Sequence, residues 1–132
     1  MAEDRSYEIR RWTHGAVLVL EIHGELDILA VSTPAGRLDG AEPPPGATRV
    51  IADLRRLTFI DCAGFGMLDR LGGLLRERGG DFLLVVTDPF VRRLLCLTGL
   101  SRTLPVHSSV RAALAAAASP ADRRGLRAGH PV

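Results

Sequence analysis

Short apolar runs separated by turn residues dominate the chain, and five of them are typical of β-strands. These runs cover residues 7–12, 16–22, 49–54, 81–86 and 103–106. The first two are separated by a short turn that contains Gly15, which favours an antiparallel hairpin. The runs over 49–54 and 81–86 are continuously apolar, as expected for strands that are buried on both faces of a sheet.

Four helices are predicted between and after these strands. They are expected over residues 28–38, 64–78, 89–98 and 109–118. We expect residues 24–27 to end the second strand and Asp27 to cap the first helix, because its carboxylate can accept a bond from a backbone N–H. Pro89 suits the first position of the third helix.

Strands and helices alternate from residue 49 onward, which implies parallel strand pairs joined by right-handed crossovers. The predicted fold is therefore α/β, a single domain with one mixed sheet of four to five strands packed against about four helices. A length of 132 residues fits one domain, which we place at residues 1–118. Residues 119–132 have little to bury and are expected to form a disordered tail.

Composition and charge argue against several classes of function. A net charge of +2 with scattered Arg residues does not favour nucleic-acid binding. The apolar run at 16–20 is far shorter than the roughly 20 residues of a membrane helix. Two cysteines do not make a disulfide framework, so a reducing cytoplasm is expected. The histidines lack metal-ligand spacing and no catalytic constellation stands out, so we expect no enzyme activity, metal or cofactor.

The most informative stretch is residues 54–66, which read Leu-Arg-Arg-Leu-Thr-Phe-Ile-Asp-Cys-Ala-Gly-Phe-Gly. This stretch resembles the signature of STAS domains, the anti-sigma factor antagonist family, and residues 17–27 and 89–100 follow the family in order and spacing. The resemblance implies a STAS-type fold. It also implies a partner, an anti-sigma factor that is usually a kinase of the histidine-kinase ATPase type. Binding that partner frees a sigma factor and so regulates transcription by partner switching.

The signature differs from the family motif at the residue that is usually phosphorylated. The family motif usually reads Asp-Ser-Ser-Gly-Leu-Gly, and the partner kinase phosphorylates its first serine, which adds up to two negative charges to the contact surface. Here Cys62 stands at that serine position and Ala63 at the next. Thr58 is the nearest hydroxyl, and we interpret it as packing at a strand end. The usual serine switch is therefore absent.

The resemblance and the local chemistry together predict a partner-binding surface. Its residues are Glu25, Asp27, Asp61, Cys62, Ala63, Gly64, Phe65 and Met67. We expect Asp61 to cap the helix that follows, and Gly64 and Gly66 to allow close backbone approach. For Phe65 and Met67, partner contact and core packing are both open. Cys96 is predicted to be a buried small hydrophobe.

Cys62 itself has three interpretations. It could be an inert replacement for serine, a redox-active thiol or a site of another modification. The helix dipole favours the reactive thiolate, whereas the neighbouring Asp61 disfavours it. The main hypothesis is an antagonist that its kinase does not switch, with a decoy or an abundance-controlled scaffold as variants. The alternatives are a thiol redox sensor that uses Cys62 and a STAS partner of an anion transporter.

Overall fold

The computed structural model describes residues 7–27 and 42–117. Its strands are β1 (Tyr7–His14), β2 (Val17–Leu26), β3 (Arg49–Asp53), β4 (Leu57–Ile60), β5 (Asp81–Val85) and β6 (Val106–His107). Its helices are α1 (Cys62–Glu77), α2 (Pro89–Thr98) and α3 (Val110–Ala117), with a 3-10 turn at Leu100–Arg102. The predicted helix over 28–38 and the predicted tail over 119–132 lie outside the described residues.

The strands form one mixed sheet in the order β1-β2-β3-β5-β6, with β4 paired to β2. The β1–β2 hairpin is antiparallel and the other pairs are parallel. The α/β class and the mixed sheet are confirmed. The described residues form six strands rather than four to five, because Leu57–Ile60 adds the short strand β4, which the sequence does not predict. The last strand is Val106–His107 rather than 103–106, because the backbone N–H groups of Thr103 and Leu104 donate to the carbonyl oxygen of Leu100 instead of pairing with β5.

Strand β2 runs four residues beyond its predicted end at residue 22. The cause is Gly24, whose φ of 95° lies in the left-handed region that favours glycine. A register shift between Gly24 and Glu25 accompanies it. The bulge lets β2 change neighbours, from β3 along its first half to β4 along its last three residues. Gly24, which the sequence places at the end of the second strand, therefore lies inside β2.

The sheet has an apolar layer on each face. Helices α1 and α2 cover one face, where Leu68 and Leu95 are fully buried against strand residues that include Leu20. Helix α3 covers the other face, with Ala113 and Ala117 packed on residues such as Ile51. Burial of these two apolar layers is the main contribution to the stability of the fold.

Cys96 is exposed, so its predicted burial was wrong. The buried positions of α2 are Val91 and Leu95, which lie one helical turn apart. Cys96 follows Leu95 by one residue, which rotates its side chain by about 100° around the helix axis, away from the core. An apolar run in sequence does not distinguish the two faces of a helix this short.

Candidate functional site

The parallel strands β2, β4 and β5 end at one edge of the sheet, and helices α1 and α2 begin there. Ligands of open α/β sheets commonly bind outside the carboxyl ends of the strands. We call five of the exposed or half-buried residues at this edge the carboxyl-end surface. It consists of Glu25, Asp27, Phe59, Asp61 and Cys62.

The start of α1 is held against the end of β2. The backbone N–H of Asp61 donates to the carbonyl oxygen of Leu26 at 3.2 Å. A Cβ on Gly64 would collide with that same oxygen and would lie 2.8 Å from Cγ1 of Ile60. Gly64 thus allows close backbone approach, as predicted. Gly66 does not need to, because a Cβ there would meet only Nη1 of Arg70 at 3.8 Å.

Asp61 is the N-cap of α1, as predicted. Its Oδ1 accepts from the backbone N–H of Ala63 at 3.0 Å and of Gly64 at 3.2 Å. These donors have no partner within the helix, and the positive end of the helix dipole favours the carboxylate. The frame of the motif is therefore built from Asp61 and Gly64 and does not depend on the side chain at position 62.

Cys62 is the first residue of α1, and its side chain is exposed. Ala63 is half-buried and packs against the core. Residues 61–66 carry no hydroxyl group. The structure therefore presents a thiol to solvent at the position where the family motif has its first serine.

Glu25 and Phe59 face each other across the β2–β4 pair. Glu25 is exposed, and Phe59 is 50% exposed, which is unusual for an aromatic side chain on a strand. Sequence reasoning did not select Phe59, because residues 57–60 lack the alternation that marks a half-buried strand. Asp27 is half-buried and makes an interaction of its own.

Phe65 and Met67 lie in the core, at 5% and 2% exposure. They belong to the buried stripe of α1 together with Leu68 and Leu71. Of the two alternatives left open by the sequence, the structure shows core packing for both side chains. They do not form part of the carboxyl-end surface.

An ion pair between buried Asp53 and partly exposed Arg55 stabilises the bend between β3 and β4. Asp53 is 1% exposed, and its two carboxylate oxygens accept from Nε and Nη2 of Arg55, both at 2.9 Å. The backbone N–H of Arg55 also donates to Oδ1 of Asp53 at 3.1 Å. The hydrogen bond with Asp53 raises the pKa of Arg55. Nothing in the sequence indicated this pair, which forms because the chain turns within two residues.

Two negative findings concern the part of the chain that the structure describes. Within it, no group of three or more His, Cys, Asp and Glu side chains could hold a metal ion. None of its helices is both long enough and apolar enough to cross a membrane.

The model of the STAS domain family matches residues 8–113, which cover the six strands except Tyr7 at the start of β1, and all three described helices except the end of α3. The fold described above is therefore the STAS fold. The chain belongs to the STAS domain family.

Known relatives and solved structures agree with this assignment. An anti-sigma F factor antagonist of Paenibacillus polymyxa is 28% identical over 96 residues, 73% of this chain and 82% of the relative. The anti-sigma-F factor antagonist RsfA of Mycobacterium tuberculosis is 27% identical over 110 residues, 78% of this chain and 81% of RsfA. The crystal structure of an anti-sigma factor antagonist from Mycobacterium paratuberculosis superposes with a TM-score of 0.73 at 28% identity, covering 85% of this chain and 94% of that one.

Proposed function

We propose that this chain is a non-enzymatic, cytoplasmic anti-sigma factor antagonist. Its partner is an anti-sigma factor of the histidine-kinase-like ATPase type, and binding that partner regulates sigma-factor-dependent transcription. One observation carries the proposal. Cys62 is exposed at the first position of α1, inside a motif frame that Asp61 and Gly64 keep intact. Relatives whose names describe anti-sigma factor antagonists support it.

The contact would centre on the carboxyl-end surface. Phe59 offers a half-exposed aromatic ring, and aromatic side chains often contribute most of the binding energy at interfaces. Glu25 lies opposite it and adds a negative charge. The complementary partner surface is an apolar pocket bordered by a basic side chain.

The antagonist would not be switched off by phosphorylation at position 62. Neither Cys62 nor Ala63 offers a hydroxyl to a serine kinase, while the N-cap hydrogen bonds hold the backbone of the motif in place. The complex with the anti-sigma factor would therefore persist in the presence of ATP, and control would act through the amount of this protein.

Native mass spectrometry tests this proposal. The protein is mixed with each candidate anti-sigma kinase of its host, with and without ATP. We expect a stable complex in both conditions and no phosphate on this chain. The matched variant is Cys62→Ser with Ala63→Ser, which should gain one phosphate and then dissociate. Failure of the unmodified protein to bind any such kinase would contradict the proposal.

A second candidate function rests on the exposure of the same thiol. Cys62 is accessible to solvent in the folded protein, as a redox-sensing cysteine must be. If it is a sensor, oxidation with peroxide should change the affinity for the partner, and Cys62→Ala should abolish that change. Equal affinity of the reduced and oxidised proteins would exclude it.

A further inference from the structure

A cleft of about 530 Å³ lies away from the carboxyl-end surface, around the first half of β5. It is enclosed by the second half of α1, the segment that leads into β6, and the last turn of α3. A volume of this size falls within the range of about 300–1,000 Å³ that is typical of small-molecule sites.

The cleft exists because the elements around it are short or lack bulk. Strand β6 has two residues and pairs only with Leu84 and Val85, so it leaves the beginning of β5 uncovered on that side. Gly72 of α1 lets Leu104 pack closely on the helix, since a Cβ there would lie 2.5 Å from Cδ2 of Leu104, and both residues line the cleft. The last turn of α3 contributes only alanines, among them Ala116. The walls are therefore mostly apolar.

Arg76 gives the cleft a cationic group. It lines the cleft and is exposed. Its guanidinium makes no hydrogen bond or ion pair within the described residues, in contrast to Arg55, which Asp53 holds. Asp81 also lines the cleft but is engaged in an interaction of its own. The imidazole of His107, which is half-buried, also lines the cleft.

We propose that this cleft binds an apolar monocarboxylate. The hydrocarbon part would run along the uncovered edge of β5, from Phe82 and Leu104 on the α1 side of the sheet to Ala116 of α3 on the other side, where contact with water is lost. The carboxylate would bind Arg76, whose planar guanidinium matches a carboxylate in a bidentate arrangement. A monocarboxylate meets less repulsion from the carboxylate of Asp81 in the same lining than a doubly charged phosphate ester would, which favours the monocarboxylate. This site is independent of the partner proposed above.

Isothermal titration calorimetry of the full chain with decanoate, and with decanol as the uncharged probe, tests the proposal. We expect decanoate to bind more tightly than decanol. Arg76→Gln should weaken decanoate about tenfold by removing a charge-assisted hydrogen bond and leave decanol unchanged. Ala116→Trp should fill the cleft and abolish binding of both. Arg93→Gln, on α2 and outside the cleft, is the matched control and should change neither.

Three outcomes would overturn the proposal. The first is that decanoate does not bind, and the second is that Arg76→Gln leaves the affinity for decanoate unchanged. The third is that nuclear Overhauser contacts place residues 118–132 of the chain itself in the cleft. Because Arg76→Gln changes an exposed side chain, the variant should stay folded, and a change in its affinity for decanoate then reports on binding alone. Circular dichroism checks the fold of Ala116→Trp. No anti-sigma factor is present in these titrations, so their outcome is separate from that of the proposed function.

Discussion

The carbonyl oxygen of Leu26 is the point where β2 meets α1, and Gly64 lies against it without room for a Cβ. The same oxygen accepts the N–H of Asp61 at 3.2 Å. A strand end and a helix start are thereby fixed to each other, and Cys62 lies between the two contacts in the chain. The position of the exposed thiol is set by backbone packing.

Gly64→Ala should destabilise the protein by about 2–3 kcal/mol, because the new methyl group collides with backbone and forces α1 away from β2. Chemical denaturation measures this. The matched control is Gly73→Ala on the same helix, where a Cβ meets only Nη2 of Arg76 at 3.8 Å. That change should stabilise by about 0.5–1 kcal/mol, as alanine favours helix over glycine. Equal effects of the two variants would contradict the packing described.

Asp61→Ala should cost about 1 kcal/mol through loss of the N-cap. Hydrogen exchange should show faster exchange of the amides of Ala63 and Gly64. Asp61→Asn keeps an acceptor oxygen and should retain most of the protection. Asp88→Ala removes the corresponding cap of α2, where Oδ1 accepts from the N–H of Phe90 at 2.9 Å, and should leave the α1 amides unaffected.

Arg55→Met should cost about 1–2 kcal/mol, because it leaves the buried carboxylate of Asp53 with only a backbone donor. We set this value toward the low end because the Arg55 side chain is 39% exposed. The neighbouring Arg56→Met, also at an exposed position, should change stability by less than about 0.5 kcal/mol.

The stability that Arg55 adds should not depend on pH in the usual range. The hydrogen bond with Asp53 raises its pKa above the ordinary value for arginine, so its contribution is complete below that ordinary value and is lost only as the pH rises through the folded-state pKa. The difference in unfolding free energy between the wild type and Arg55→Met should be constant from about pH 7 to 10. A difference that falls steadily over this interval would show that another group carries the effect.

Both cysteines should react with Ellman's reagent in the native protein, since Cys62 and Cys96 are exposed and free. The absorbance should correspond to two thiols for the wild type and to one for either Cys62→Ala or Cys96→Ala. If the native protein showed only one reactive thiol, and the second reacted only in denaturant, the sequence-based prediction that Cys96 is buried would be supported instead.

Phe59→Ser should weaken binding of the anti-sigma factor at least tenfold with little loss of stability, because half of the ring is already in water. Leu97→Ser is the control. Leu97 is 71% exposed but lies near the C-terminus of α2, away from the edge where that helix begins. Surface plasmon resonance should show unchanged affinity for this variant. Similar losses for both would place the interface elsewhere.

Much of the fold follows from local pattern. Apolar runs and turn residues located the strands near their observed positions, and Pro89 marked the start of α2 as predicted. Strand β4 was missed because four residues after a charged turn carry too little periodicity. The true end of β2 was missed because Gly24 has the same sequence signature in a bulge as in a turn.

The sequence by itself determined the family, the N-cap at Asp61 and the absence of a serine at position 62, because a motif and a cap depend on residues close together in the chain. Only the tertiary structure decided which apolar residues reach the surface. It buried Phe65 and Met67 and exposed Phe59 and Cys96. The physical reason is that exposure depends on which face of each helix or strand meets the rest of the chain, and that contact joins residues far apart in sequence.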